Sequence, residues 1–307
     1  MAAWRFAIVT DVHVYASGKV PQDFVTLIGE LRALAPRFVV SSGDATVGNE
    51  DDGAGADKVR SWWQAYRGAL QPLVDDGVGL LAIAGNHDYY TAAHRSEYAN
   101  AWPDLGERFA DVAALSGRPP LYYSFDVDGV HFILLHVVDQ KLEAEVEEWL
   151  RADLASPAAQ SAALRLCIGH VPLVSMMGKT SESYRDHLGT LLAEGGVAAY
   201  FSGHEHLTWD QELRFGDRPL RQIHVGSSSG TYHFPLKKSV YEADCADSVG
   251  TLPYSGTRFG VSISKKDGKP YQDDKVCCCV IEIDDTTYDV RHLTLRGGKL
   301  VPFGAAP

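Results

Sequence analysis

The stretch YFSGHEHLTW places His204 and His206 either side of Glu205, directly after an apolar run. Residues two apart on a strand share a face, and a bend would also leave two imidazoles close together. Paired imidazoles suit a metal ion. Solvated turn histidines would give the same stretch, so the rest of the chain has to decide. Four other apolar runs end in comparable residues. RFAIVT leads into Asp11-Val12-His13, RFVVSS into Gly43-Asp44, GLLAIA into Gly85-Asn86-His87-Asp88, and LRLCI into Gly169-His170. Glycine at such a place lets the backbone turn sharply and approach a ligand closely.

Together these side chains form a nitrogen and oxygen donor set without thiolate, which suits Mn, Fe or Zn rather than a structural cysteine site. They are too many for one ion. Divided between two, with one carboxylate bridging, they make a two-metal site, whose ions typically stand ~3.5–4 Å apart and serve phosphate chemistry.

Such a cluster needs elements that bring distant residues to one edge. Phe24, Leu27, Ile28, Leu31 and Leu34 recur at helical spacing within Asp23–Leu34, as do Trp62, Trp63, Tyr66 and Leu70 within Asp57–Val74. Leu142–Leu154 and Ser181–Glu194 read as further helices. Strands are expected at RFAIVT, RFVVSS, GVGLLAIA, LRLCIG and VAAYFS. LYYSFDV and VHFILLHVV read as a hairpin across Asp128-Gly129, a pair that favours a tight turn. After Leu207 the pattern turns mainly to strands, at QELRF, RQIHV, KVCCCVIEI and TYDVRHLTL. Two excursions, 89–120 and 230–275, resist assignment. No repeat or linker-like tract appears, so a single mixed α/β domain over 1–307 is the expected organisation. In open α/β sheets, sites form in the crevice beyond the carboxyl ends of the strands, and the five ligand-bearing ends would converge there.

Bulk properties narrow the class. The 307 residues are 45% hydrophobic and 22% charged, enough for a large core. With 28 Lys+Arg against 40 Asp+Glu, the net charge of −12 lacks the basic footprint of a nucleic-acid binder, so no such partner is expected. The apolar runs GLLAIAG and VHFILLHVV fall short of the ~18 residues a membrane span needs. Asp11 also cuts the first apolar segment too short for a signal peptide. A cytoplasmic protein without a membrane partner is therefore expected. Five cysteines, Cys167, Cys245, Cys277, Cys278 and Cys279, fit no disulfide framework, and the odd count suits a reducing compartment.

Taken in order, DVH, GD, GNHD, GH and GHEH resemble the calcineurin-like metallophosphoesterase superfamily, whose pattern is D-x-H, GD, GNH[DE], GH and GHxH. Each block is weak alone, and the ordered set over Asp11 to His206 is strong. The hairpin YYSFDVDGVHFILL and the spacing from His170 to GHEH are similar to the branch that contains purple acid phosphatases and related phosphodiesterases. The resemblance implies an α/β fold, a four-layer α-β-β-α sandwich of the metallo-dependent phosphatase type. It implies two divalent or trivalent ions per chain (Mn2+, Fe2+/Fe3+ or Zn2+). Asp11, His13, Asp44 and His206 would hold one, and Asp44, Asn86, His170 and His204 the other, with Asp44 bridging. His87 would be the substrate-facing acid and Asp88 its orienting partner. The implied reaction is hydrolysis of a small phosphoester by a hydroxide between the ions. One position departs from the pattern. Purple acid phosphatases carry tyrosine three residues after the bridging aspartate, and here Val47 stands there, so no charge-transfer colour is expected.

A monoester, a diester or a cyclic nucleotide could all use these residues, and the rim loops would select among them. A binding scaffold of the same fold would usually have lost ligands, above all the histidine of GNHD, whereas every expected position is filled. GSSSG, Gly226–Gly230, fits a serine-hydrolase nucleophile elbow with Ser228 as nucleophile and His292 downstream. TYHFPLKKS after it does not read as the helix that motif requires. His131, His136, His224 and His292 lie in strand-like runs and read as structural. His94 and His233 lie in the excursions, from which either could overhang the site. Glu205 is expected to point away, and EDDGAGAD to form a solvated turn.

Overall fold

Phe6 and Ile8 face one way from the first strand, β1 (Trp4–Val9), while Ala7 and Val9 face the other, and all four are buried. A strand covered on both faces belongs inside a layered α/β arrangement. A computed structural model describes residues 3–103, 105, 115–237, 249–251 and 258–304. In the first sheet, β2 (Phe38–Ser42) runs parallel to β1, and β3 (Gly79–Ile83) parallel to β2. On the other side of β1 lie β14 (Cys277–Asp284), β15 (Thr287–Arg296) and β16 (Lys299–Pro302), all antiparallel. The second sheet runs β4 (Ser116–Arg118), β5 (Tyr122–Val127), β6 (Val130–Leu134), β7 (Leu164–Ile168), β8 (Ala199–Ser202), β10 (Arg218–Val225) and β9 (Thr208–Phe215). Its middle strands, β6, β7, β8 and β10, are parallel.

Between the sheets lies an aromatic core. Phe6 stacks on Phe38 at 4.9 Å and meets Phe132 edge-on at 5.2 Å, while Phe125 stacks on Phe132 at 5.0 Å. Each such pair contributes about 0.5–1.5 kcal/mol beyond the area it buries. Outside the first sheet, α1 (Gln22–Ala33) buries Phe24, Leu27, Ile28 and Leu31, and α2 (Ala56–Asp75) buries Trp62, Trp63, Tyr66 and Leu70. Outside the second, α4 (Ala144–Leu154) and α6 (Glu182–Glu194) bury Val146, Leu150, Leu188 and Leu192 against Ile133, Cys167 and Tyr200. The order is helix, sheet, sheet, helix, the four-layer sandwich that the motif resemblance implies.

The excursions do contain structure. In the first, α3 (Ala92–Ala101) begins in a reciprocal cap, where the Thr91 hydroxyl accepts from His94 N–H and the His94 ring accepts from Thr91 N–H. His94 thus serves the helix start, stacked on Trp62 and 3.2 Å from Asp52, and does not overhang the site. Thr91 is a usual N-cap, but histidine at N3 stands where a capping box has Glu or Gln, which is why the sequence pattern misses it. A short helix, α5 (Pro157–Ser161), precedes β7. In the second excursion, β11 (Val249–Thr251), β12 (Arg258–Ile263) and β13 (Pro270–Gln272) form a small antiparallel sheet. Cys245 lies outside the described residues. Cys277, Cys278 and Cys279 are free and buried, facing alternate sides of β14.

Candidate metal centre

Parallel strands place their carboxyl ends at one edge, so β1, β2 and β3 deliver Asp11, His13, Asp44, Asn86 and His87 from one sheet. β7 and β8 deliver His170, His204 and His206 from the other. The backbone there is bent hard. Asp11, His13, Asp44, His204 and His206 all have positive φ, between 51° and 70°. That region costs an L residue roughly 1–2 kcal/mol, and it persists where surrounding bonds hold it. Such bonds are present: Asp11 N–H donates to Gly43 O (3.0 Å), His13 N–H to Asp44 O (3.0 Å), and His204 N–H to the Asp11 carboxylate (2.9 Å). Two glycines are required by space. A Cβ at Gly43 would stand 2.5 Å from the His170 ring, and one at Gly85 would stand 2.1 Å from Asp44 Oδ1.

The donors converge in two groups. In one, His206 Nε2 lies 3.3 Å from Asp11 Oδ1 and 3.1 Å from His13 Nε2. In the other, His170 Nε2 lies 3.2 Å from Asp44 Oδ2 and 3.3 Å from Asn86 Oδ1, which is also 2.9 Å from His204 Nδ1. Asp44 Oδ2 faces both groups, since His13 Nε2 is 3.9 Å from it. Hydrogen bonds on the far side orient three of the donors. His170 Nδ1 donates to Ser42 O (2.8 Å), His206 Nδ1 to Tyr232 O (2.9 Å), and Asn86 Nδ2 to Tyr90 Oη (2.6 Å). The inward atoms are therefore carboxylate and amide oxygens and imidazole nitrogens, an arrangement that fits a cation once the rings give up their inward protons. The donors are nitrogen and oxygen, which suits Mn, Fe or Zn.

Electrostatics agree with that fit. Burial pushes the Asp44 carboxyl up, but His170 and then His13 outweigh it and hold it far below the usual range. Asp11 is likewise lowered, burial being outweighed by His206. Burial pulls His170 down, yet Asp44 overrides it and raises the ring to about 9. His206 is raised by Asp11 against the same opposition from burial. Burial lowers His13 to about 3 and His204 to about 4. The two carboxylates thus hold protons on two imidazoles, and a cation entering there must displace them.

His87 stands beside this cluster, its ring 4.8 Å from His13 and edge-on to it. Its Nδ1 donates to Gly48 O at 2.5 Å, which leaves Nε2 for other work. Asp88 does not orient it, contrary to the role the resemblance implies. The Asp88 carboxylate instead accepts from Gly85 N–H (3.1 Å), Ala45 N–H (3.3 Å), Thr46 N–H (3.0 Å) and Thr46 Oγ1 (2.9 Å), tying the β2 and β3 loops together. Burial and then Asp44 raise it to about 6. The physical reason is hydrogen bonding: Asp88 is buried where main-chain donors converge on its carboxylate, while the His87 ring is held by Gly48.

Ser228 is no nucleophile elbow. It is buried, accepts from Thr10 N–H (3.1 Å) and donates to Cys277 O (3.0 Å). Ser227 and Ser229 donate to the Asp11 carbonyl at 2.9 and 3.3 Å, so GSSSG steadies the first ligand-bearing turn. Glu205 points away from the cluster, accepting from Ser175 Oγ and from Met176 N–H at 2.7 Å. Sequence reasoning missed Tyr90, Tyr232 and Phe234. The Tyr232 ring lies 4.9 Å from that of His13, and Phe234 lies 5.0 Å from His206. The signal for Tyr232 and Phe234 was the aromatic run TYHF, and for Tyr90 the pair Tyr89-Tyr90, each within an unassigned excursion. His233 packs on Tyr271 at 5.2 Å.

The calcineurin-like phosphoesterase profile matches residues 5–207, the segment that carries every one of these donors. The chain belongs to the calcineurin-like phosphoesterase family. Among curated proteins it is similar to purple acid phosphatase 23 of Arabidopsis thaliana, 27% identical over 223 residues that make up 66% of this chain and 46% of that relative. Among solved structures it shares its fold with purple acid phosphatase PPD1 from yellow lupin (Lupinus luteus) seeds, at TM-score 0.64 and 15% identity, covering 98% of this chain and 53% of that one. It shares it also with GAP50, the anchor in the inner membrane complex of Plasmodium, at TM-score 0.59 and 15% identity, covering 98% and 87%. Within this calcineurin-like phosphoesterase domain, Val47 packs against the core between the first sheet and its helices. Among the described residues, no helix is long and apolar enough to cross a membrane.

Proposed function

We propose that the chain hydrolyses a small phosphoester, mono- or diester, at a two-ion centre. Asp11, His13, Asp44 and His206 would hold one ion, and Asp44, Asn86, His170 and His204 the other. The observation that carries this reading is Asp44 Oδ2, which faces His170 Nε2 at 3.2 Å and His13 Nε2 at 3.9 Å and so addresses both donor groups. When bound, two cations supply Lewis acidity toward phosphoryl oxygens and acidify water. The protein supplies the rest. Ser42 and Tyr232 carbonyls hold His170 and His206 so that Nε2 faces inward, and the Asn86 amide is turned by Tyr90. His87, as imidazolium, passes its Nε2 proton to the leaving oxygen and ends neutral, with Nδ1–H still on Gly48. Such a proton transfer is worth roughly 10²–10⁴-fold. The free buried thiols Cys167, Cys277, Cys278 and Cys279 support a reducing, cytoplasmic setting.

The test is hydrolysis of p-nitrophenyl phosphate and its bis ester by protein stripped with chelator and then reloaded with Mn2+. Loss on stripping and recovery on reloading are expected, and the ratio of the two rates assigns mono- or diester preference. Turnover that persists in chelator would overturn the proposal.

A further inference from the structure

His136 reads from sequence as a strand residue, but β6 ends at Leu134, and His136 stands beyond it. Because β6 is the parallel neighbour of β7, this carboxyl end lies at the same edge as His170. There His136 lines a cleft of about 610 Å³ together with Asn86, Tyr89, Tyr90, Arg95 and His204. Two of these are donors proposed for the metal centre, so a phosphoester seated on that centre would extend its leaving group into the cleft. The volume suits a small ligand.

The His136 ring is fixed. It lies 4.5 Å from the Tyr89 ring at 68°, and its Nδ1 is sealed from solvent without a partner among the described residues. Nε2 is left on the accessible side. Burial keeps the ring neutral at pH 7, pulling it down to about 4, so it can exchange a hydrogen bond with a hydroxyl. The cleft's charges disfavour an anion. Glu50, Asp139 and Glu143 line it against Arg95 and Lys141. Lys141 is paired with Glu143 at 2.8 Å, and Arg95 Nη1 turns onto the Tyr89 and Tyr90 carbonyls at 3.2 and 2.9 Å.

We propose that His136 is a specificity-determining residue, whose Nε2 hydrogen-bonds a hydroxyl of an uncharged leaving group held in this cleft. This rests on the phosphoester reading above. The test uses the Mn2+-loaded enzyme with three esters: glycerol 2-phosphate, whose leaving group carries hydroxyls; phenyl phosphate, whose leaving group has none; and 2-phosphoglycerate, whose leaving group is anionic. In the wild type, kcat/KM should be at least about tenfold higher for glycerol 2-phosphate than for 2-phosphoglycerate. His136→Phe should lower kcat/KM for glycerol 2-phosphate about tenfold, the worth of one hydrogen bond. It should leave phenyl phosphate within about twofold, which also shows that the variant folds, and His136→Gln should restore most of the loss. Equal effects on glycerol 2-phosphate and phenyl phosphate, no effect on either, or an equal or better wild-type rate on 2-phosphoglycerate would overturn the inference alone. Absence of any wild-type phosphoester turnover would overturn the phosphoester reading as well.

Discussion

Asp44 is the charge that both halves of the site share, and its neighbours show how strongly it is held. Its Oδ1 accepts from His87 N–H at 2.9 Å, while Oδ2 faces His170 and His13. Asp44→Asn keeps the shape and removes the charge, so at least one ion should be lost on elemental analysis; full occupancy would contradict the bridging role. His87 is separable from the ligands because its Nδ1 is already committed to Gly48. His87→Ala should slow hydrolysis of alkyl esters by roughly 10²–10⁴-fold and of nitrophenyl esters far less, since nitrophenolate leaves without a proton. Steady-state kinetics over a series of leaving groups measures this, and a uniform loss would remove the acid assignment.

At the scale of elements, the second sheet is fastened to α4 by a buried histidine. His131 on β6 lies 2.8 Å from Asp126 on β5 through Nδ1, and 3.0 Å from Asp153 on α4 through Nε2. Burial pulls this ring down, but Asp153 and Asp126 outweigh it and raise its pKa above the ordinary value. A group raised on folding stabilises fully below its unfolded pKa near 6.5 and loses that contribution as pH rises through the folded value. His131→Gln should therefore cost most near pH 6, about 1.5–3 kcal/mol for bonds to charged partners. It should cost progressively less toward alkaline pH. Thermal denaturation of both proteins between pH 6 and 9 would show the gap narrowing, and a constant or widening gap would exclude the charged tie. This element also bears on the site, because β6 ends at the cleft that holds His136.

For the whole molecule, the proposed ions join the two sheets, since one sheet supplies Asp11, His13, Asp44 and Asn86 and the other His170, His204 and His206. A ligand that binds only the folded state stabilises it by mass action, about 2.7 kcal/mol at a hundredfold excess over Kd. For a chain of this size that corresponds to a rise in Tm of roughly 4 °C. Calorimetry with Mn2+ and then with chelator should show the rise and its reversal. The rise should be largely absent in Asp44→Asn, and an unchanged Tm in the wild type would argue against ions joining the sheets.

What could be read from the chain alone was whatever local periodicity and residue type encode. The short apolar run FAIV and the i, i+3, i+4 spacing of Phe24, Leu27 and Ile28 reflect geometry within a few residues, so elements and layers were legible. The donor types, and the glycines needed beside Asp44 and His170, were legible for the same reason. Packing alone decided which atom of each donor points inward. His170 is aimed by Ser42, 128 residues away, and His206 by Tyr232. Packing also sent Asp88 to the Thr46 loop instead of to His87, and brought His136, Tyr90 and Tyr232 to the rim. These depend on distances between segments that only the assembled sheets set, and no short stretch of sequence carries them.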